Sequence, residues 1–401
     1  MATRLIPAFA QFFDANGDPL TGGKIYTYES GTTTPKVTFA DAALTVANSN
    51  PVMLNAAGRA PDVFADVGDY KVVLTDATGV MIETRDPVDG APVGSAGQGL
   101  SSFKNLLING QFLVKQRSAT SIANDTYGFD CWYHLNQTGA VTVSQLVDAE
   151  SGQPTSLRIT QAQSTPQRFG IAQIIETDNC RHLRGSFVSL SFRARSSLAQ
   201  PVRYAILSWD GAPNVVTSDV VSDWTSATYA AGDFFIGSDL SVIAVGSFTP
   251  SAGTWTQAPS LSGVVPSSMG NLIAMVWTED AAAENATLDL GLAQLEPGEE
   301  ASAYEYRPNM NEVSYCFRYF YRADNNWLQG YGLAGSTAQT TMSLLNTMFK
   351  TPTISFTATQ QANCSGSTVV ARGQDRVGMA TTVTATGNFI FQFNFTADAS
   401  L

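Results

Sequence analysis

The sequence predicts a mostly β protein of sandwich-type architecture. Three observations point there: segments that alternate polar with apolar residues, turn signals at short intervals between them, and almost no amphipathic helical period. In chain order, "KIYTY" at 24–28, "YKVVLT" at 70–75 and "VMIET" at 80–84 read as strands. "FVSLSFRAR" at 187–195, "NLIAMVW" at 271–277 and "NFIFQFNFT" at 388–396 follow. All are rich in β-branched and aromatic residues, which fit a pleated, half-buried surface. "ANGD", "TGG", "NAAGRA", "DATG", "PSAG" and "EPGEE" supply the turns. One short helix is expected near "NMNEVSYCFRYF", with Asn311 capping its first turn.

The chain has 401 residues, more than one core usually holds. Charged residues make up only 14%, with Ser, Thr, Asn and Gln in their place, and the net charge is −12. That balance argues against nucleic acid or an anionic membrane as partner, since both need a basic face. No apolar run approaches the length of a membrane span, and Asp14 arrives too early for a signal peptide. The 4 cysteines are too scattered for a disulfide framework. Residues 86–102, "DPVDGAPVGSAGQGLSS", have linker composition, and a weaker boundary falls near 304–312. The expected division is residues 1–88, a linker over 89–102, a sandwich over 103–308 and a C-terminal β region over 309–401. No repeat of solenoid length is visible.

Three pieces in order, "GDPLTGGKIYTY", "NPVMLNAAGRA" and "YKVVLTDATG", give residues 5–88 a resemblance to the N-terminal anchoring domain of bacteriophage tail fibre and tailspike proteins. Their glycines have mechanical readings: Gly22, Gly23 and Gly58 fit turns with positive φ, and Pro51 opens a strand without a donor. Residues 103–308 open with "NLLINGQFLVKQR" and "YGFDCWYH" and close with "LDLGLAQLEPGEE". They resemble jelly-roll carbohydrate-binding modules. "CFRYFYR", "MFKTPTISF" and "FTADASL" resemble the C-terminal parts of phage tail appendages. The resemblance implies a virion protein made in the bacterial cytoplasm. It implies a homotrimer that docks through 1–88 on tail, neck or portal proteins and holds host surface polysaccharide with its body, with residues 309–401 as trimerisation region or receptor tip. No cofactor and no enzymatic activity are expected; a structural collar, decoration or adaptor protein and a glycan depolymerase are the alternatives.

A sugar platform needs an exposed flat ring for CH–π stacking, beside groups that hydrogen-bond hydroxyls. "YAILSWDGAPN" supplies Tyr204, Trp209 and Asp210, and Trp224 lies nearby; the competing reading of such rings is core or subunit interface. Trp132 and Trp277, in apolar strands, read as core. The 2 histidines each sit near a cysteine, Cys131 with His134 and Cys180 with His182, a weak zinc pattern against buried thiols and ordinary histidines. Asp14, Asn16 and Asp18 mimic the first ligands of a calcium loop, but Pro19 and Ile25 stand where that loop needs Gly and Glu, so a hairpin turn is favoured. Two histidines leave little room for a Ser-His-Asp triad, and the acidic residues spread through turns. Arg372 and Arg376 read as an exposed hairpin or an interface pair. The Asn-x-Ser/Thr triplets at Asn124, Asn136, Asn285, Asn363 and Asn394 are what a chain rich in these residues produces by chance.

Overall fold

The computed structural model describes residues 3–66, 68–88, 103–147 and 155–401. The chain is mostly β and divides into two compact units, Met1–Leu100 and Ser101–Leu401. The expected linker over 89–102 lies outside the described residues. Among the described residues no helix is long and apolar enough to cross a membrane.

In the first unit a four-stranded antiparallel sheet runs Val52–Met53, Lys24–Glu29, Tyr70–Thr75, Met81–Val88, and three two-residue strands form a second sheet. Alternation in Lys24–Glu29 sends Ile25 inward to join Ile6, Leu20, Val52, Leu54 and Val63. The "NAAGRA" turn needs its glycine twice over. Gly58 has φ +67°, and a Cβ there would stand 2.5 Å from the Phe12 carbonyl oxygen and 2.7 Å from the Leu20 nitrogen. Gly22 also has positive φ; Gly23 does not, and is small because Leu20 and Leu54 crowd it. The Asp14 segment is a turn: its Oδ1 accepts the N–H groups of Asn16 and Asp18 at 2.9 and 3.0 Å.

The second unit begins as a two-sheet antiparallel sandwich of jelly-roll type. One sheet is ordered Leu240–Phe248, Val202–Trp209, Asn271–Thr278, Phe169–Ile175, Trp132–Asn136, Thr126–Phe129. The other is built on Phe187–Ser196, Thr287–Pro297, Ser156–Gln161 and Val141–Leu146. Val202, Tyr204 and Ile206 face Val188, Leu190, Phe192 and Ala194 across the core. The first sheet is covered on its outer face too. Leu207, Trp209, Ile273, Met275 and Trp277 pack there under Val220, Val221, Phe234 and Phe235 from the segment after Trp209. That double burial is why 169–175 and 271–278 are buried at every position and mostly apolar rather than alternating.

The opening and closing motifs of this sandwich hold each other. Asn105 donates from Nδ2 to the Ala293 carbonyl at 3.0 Å and accepts the Leu107 and Leu295 N–H groups. Asn109, at φ +59°, ties the Val114 N–H and carbonyl and the Asp130 carbonyl. A Cβ on Gly110 would meet the Ala293 carbonyl at 2.2 Å. Glu296 accepts the Ser302 N–H and hydroxyl and the Gln294 amide. These motif residues are buried polar staples: the asparagines are satisfied by backbone groups, and Glu296 by a backbone N–H and two side chains.

Residues 309–401 belong to the same compact unit but carry their own core. Two three-stranded sheets face each other: Phe320–Gly332, Gly387–Asp398, Thr353–Ala362, and Thr337–Ser343, Arg376–Val383, Cys364–Ala371. Strict alternation in Gly387–Asp398 turns Phe389, Phe391, Phe393 and Phe395 onto Val377, Met379 and Val383. Helix Asn309–Phe317 precedes them; its N-cap is Pro308 and Asn311 lies inside it, so the expected Asn311 cap does not form. Arg117 joins this region to the sandwich, pairing with Asp398 at 2.8 Å and lying 3.9 Å over the Phe320 ring.

Candidate functional site: a cleft beside the sandwich

The structure corrects the expected aromatic platform. Tyr204 is 2% exposed, inside the sandwich, and its hydroxyl donates to the Pro259 carbonyl at 2.8 Å. Trp209 is 5% exposed under the covering segment, with its indole N–H on the Ala212 carbonyl. Asp210 accepts the hydroxyls of Ser208 and Ser241 and acts as a turn anchor. Trp224 is half-buried, edge-on to Phe234 at 5.7 Å, within the segment that covers the sheet. The physical reason is that segment. Its Phe234 stacks on Trp277 at 5.1 Å and closes the face where exposed rings were expected. Trp132 and Trp277 are core, as expected.

Nor does the zinc set assemble. His134 is fully buried in its strand with neither ring nitrogen hydrogen-bonded, and burial pushes its pKa down to about 3. Cys131 instead lies beside Cys316 of the C-terminal helix. Cys180 is buried against the Met269 sulfur at 3.6 Å, and His182 is exposed on the next turn. Among the described residues no group of three or more His, Cys, Asp and Glu is placed to hold a metal ion. Arg372 and Arg376 close an exposed hairpin, the Arg372 N–H donating to the Arg376 carbonyl at 2.8 Å. Asn136 is buried and its amide holds the Ile122 carbonyl, so that triplet is structural.

What the fold does build is a cleft of about 730 Å³ between the sandwich and the C-terminal helix. Its position follows from a buried ionic knot. Arg307 donates from Nη1 to Glu312 Oε1 and to the Leu107 carbonyl, both at 3.1 Å. Glu312 Oε2 accepts the Asn109 N–H at 2.7 Å, and Glu305 accepts the Phe103 and Asn105 N–H groups, both at 2.8 Å. The knot clamps the helix onto the opening segment 103–109 of the sandwich. Two rings then stand at the cleft wall: Phe103, 54% exposed, meets half-buried Tyr315 edge-on at 5.7 Å.

The turn after Phe169–Ile175 also lines the cleft. Asp178, Asn179 and His182 line it with exposed polar groups. At its base, Glu176 accepts Arg318 Nε and Nη2 at 2.9 and 2.6 Å and the Tyr319 hydroxyl at 2.9 Å. Burial, with Glu176 alongside, pushes the Tyr319 phenol well above its ordinary value, so it stays a donor. The Glu176 hydrogen bond raises the Arg318 guanidinium in turn. The composition of the lining suits recognition: a ring pair for an apolar face, and donors and acceptors for hydroxyls. Sequence reading missed it, because Phe103, Glu176 and Tyr315 lie far apart in the chain and carry no shared motif.

Comparisons with known protein families and with curated proteins return no match. Among solved structures, the chain is similar to a protein of Bacteroides thetaiotaomicron VPI-5482 described as sugar-binding, at 15% identity and TM-score 0.31, over 48% of this chain and 99% of that one. It is also similar to a family 61 carbohydrate-binding module in complex with β-1,4-galactotriose, at 12% identity and TM-score 0.29, over 49% and 99%. A family 11 module of Clostridium thermocellum in complex with a β-1,3-1,4-mixed-linked tetrasaccharide follows at 13% identity and TM-score 0.25, over 46% and 100%. The assignment of a jelly-roll-type sandwich rests on the sheet order and register of the chain itself.

Proposed function

We propose that this chain is a bacteriophage appendage protein that binds host-surface glycan. Residues 1–88 anchor it to other virion proteins, and the unit from residue 101 onward is the adhesive body. The observation that carries the binding role is the cleft, which the Phe103–Tyr315 ring pair and the polar side chains of Asp178, Asn179 and His182 line together. The anchoring role rests on the ordered motifs of residues 5–88 and on their folding as a separate compact unit. In a homotrimer, weak sites repeated threefold gain through effective concentration, so millimolar contacts hold a particle.

A glycan array probed with the full chain, and with Phe103→Ala and Tyr315→Ala, tests the binding role. Binding that drops about tenfold or more in either variant supports the cleft; binding indifferent to both removes it. The structural-adaptor reading gains from the burial of Tyr204 and Trp209. A blank array together with tight binding to a second virion protein would favour it. Release of reducing ends from host polysaccharide would instead establish a depolymerase.

A further inference from the structure

The six tryptophans are Trp132, Trp209, Trp224, Trp255, Trp277 and Trp327. Five are buried or half-buried; Trp327, in the edge strand Phe320–Gly332, is 53% exposed. On the same strand Leu328 turns inward to the core while Trp327, Gln329 and Tyr331 turn outward, Tyr331 being 70% exposed. The register sets Trp327 against Gln392 and Tyr331 against Asn388, with Gln360 beyond Gln392 on the third strand. Gln392 donates to Asn325 Oδ1 at 3.4 Å. The face is therefore two rings separated by amides.

Charge narrows the occupant. From Asn325 to Gly332, from Gly387 to Ala397 and from Thr353 to Ala362 the strands contain no Lys, Arg, Asp or Glu; at their ends Arg322 pairs with Asp324 at 3.0 Å and Asp398 with Arg117 at 2.8 Å. A polyanion finds no cation here and a basic peptide finds no carboxylate. A protein interface core calls for a contiguous apolar patch, whereas the outward neighbours here are Gln329, Gln392, Asn388 and Asn394, with Ile390 among them. Uncharged sugars present an apolar ring face and a hydroxyl rim, which match an amphipathic ring beside amides. Four residues of extended strand put the two rings about 13 Å apart, a gap that a chain of sugars crosses and a single sugar does not.

We infer that the outer face of this C-terminal sheet is a second glycan site, taking an uncharged polysaccharide laid along Trp327 and Tyr331. It deepens the proposed adhesive function and rests on that reading, but uses residues separate from the cleft.

The test is tryptophan fluorescence and affinity electrophoresis of the full chain with dextran, mannan and galactan, and with polygalacturonate as the anionic comparison. The expected result is a blue shift and acrylamide protection with at least one neutral polymer. Its monosaccharide should give neither, and Trp327→Ala should weaken binding about tenfold or more, Tyr331→Ala less. Retained binding in the Trp327→Ala, Tyr331→Ala double variant, with loss in Tyr315→Ala, overturns the second site and leaves the cleft standing. Stronger binding to polygalacturonate than to every neutral polymer overturns it as well. If Trp327 is already quench-protected without ligand, and Trp327→Ala lowers the oligomeric mass, the face is a contact between copies and the inference fails. If no polymer binds wild type or variants, this site and the reading beneath it both fall.

Discussion

The carboxylate of Glu176 holds the guanidinium of Arg318 with two hydrogen bonds, at 2.9 and 2.6 Å. Glu176 ends a sandwich strand and Arg318 ends the C-terminal helix, so this one pair fastens two layers that the chain makes 142 residues apart. Glu176 is buried and Arg318 is more than a third exposed. Removing the arginine leaves a buried carboxylate with only the Tyr319 hydroxyl. We expect Arg318→Ala to cost about 2–4 kcal/mol, the lower part of the range for broken buried pairs because solvent reaches one partner. Arg318→Lys should recover only part, since an ammonium lacks the planar fork. Urea unfolding measures both; an alanine variant as stable as wild type contradicts the role.

Gly58 gives a second prediction. Its positive φ and the Phe12 carbonyl behind it make Gly58→Val cost about 3 kcal/mol or more. Gly17→Ala is the control, because it shares the positive φ but has nothing within 4 Å of the added carbon, and should cost only about 1 kcal/mol. Thermal unfolding of the two variants should separate them; equal losses would mean that the crowding is not felt.

The buried His134 makes stability depend on acid. Its pKa falls from 6.5 to about 3 on folding, so the unfolded chain binds a proton that the folded chain refuses. The contribution is complete above pH 6.5 and is lost as pH falls toward 3, on the order of 4 kcal/mol in all. Asp130 works in the opposite sense: burial raises its carboxyl to about 6, so its contribution is present below 3.8 and lost as pH rises through 6. Because both imidazole nitrogens lack partners, His134→Leu should change stability at pH 7 by less than about 1.5 kcal/mol while removing the acid loss. An unchanged acid limb in denaturant titrations at pH 4 and pH 7 would count against this.

Deletion of residues 1–88 should leave the unit from 101 onward folded and able to bind glycan, because that unit has its own cores. The truncated protein should be missing from particles on immunoblot. Truncated protein found in purified particles would refute the anchoring role.

The strands were legible in the sequence because alternation is enforced by burial on one face, as in Gly387–Asp398. The site was not. "SWDG" offers a ring, a carboxylate and a turn, the local signature of an exposed platform, yet Trp209 is covered by Val220, Val221 and Phe234 from a segment whose packing no local pattern announces. Trp327 and Tyr331 were passed over for the complementary reason. Their strand alternates like any half-buried one, and only the exposure of its outer face among the described residues shows which rings are free. The Asn105 and Asn109 motif was visible, and its role is to tie the opening segment to the closing strand Thr287–Pro297 and to the Asp130 carbonyl.

The most direct measurement is immunogold electron microscopy of virus particles purified from cells that make this chain, with antibody against residues 103–401. The account predicts gold at the outer ends of appendages, and displacement of those particles from host cells by added full chain. Particles free of gold, with the protein recovered only from the soluble lysate, would contradict it.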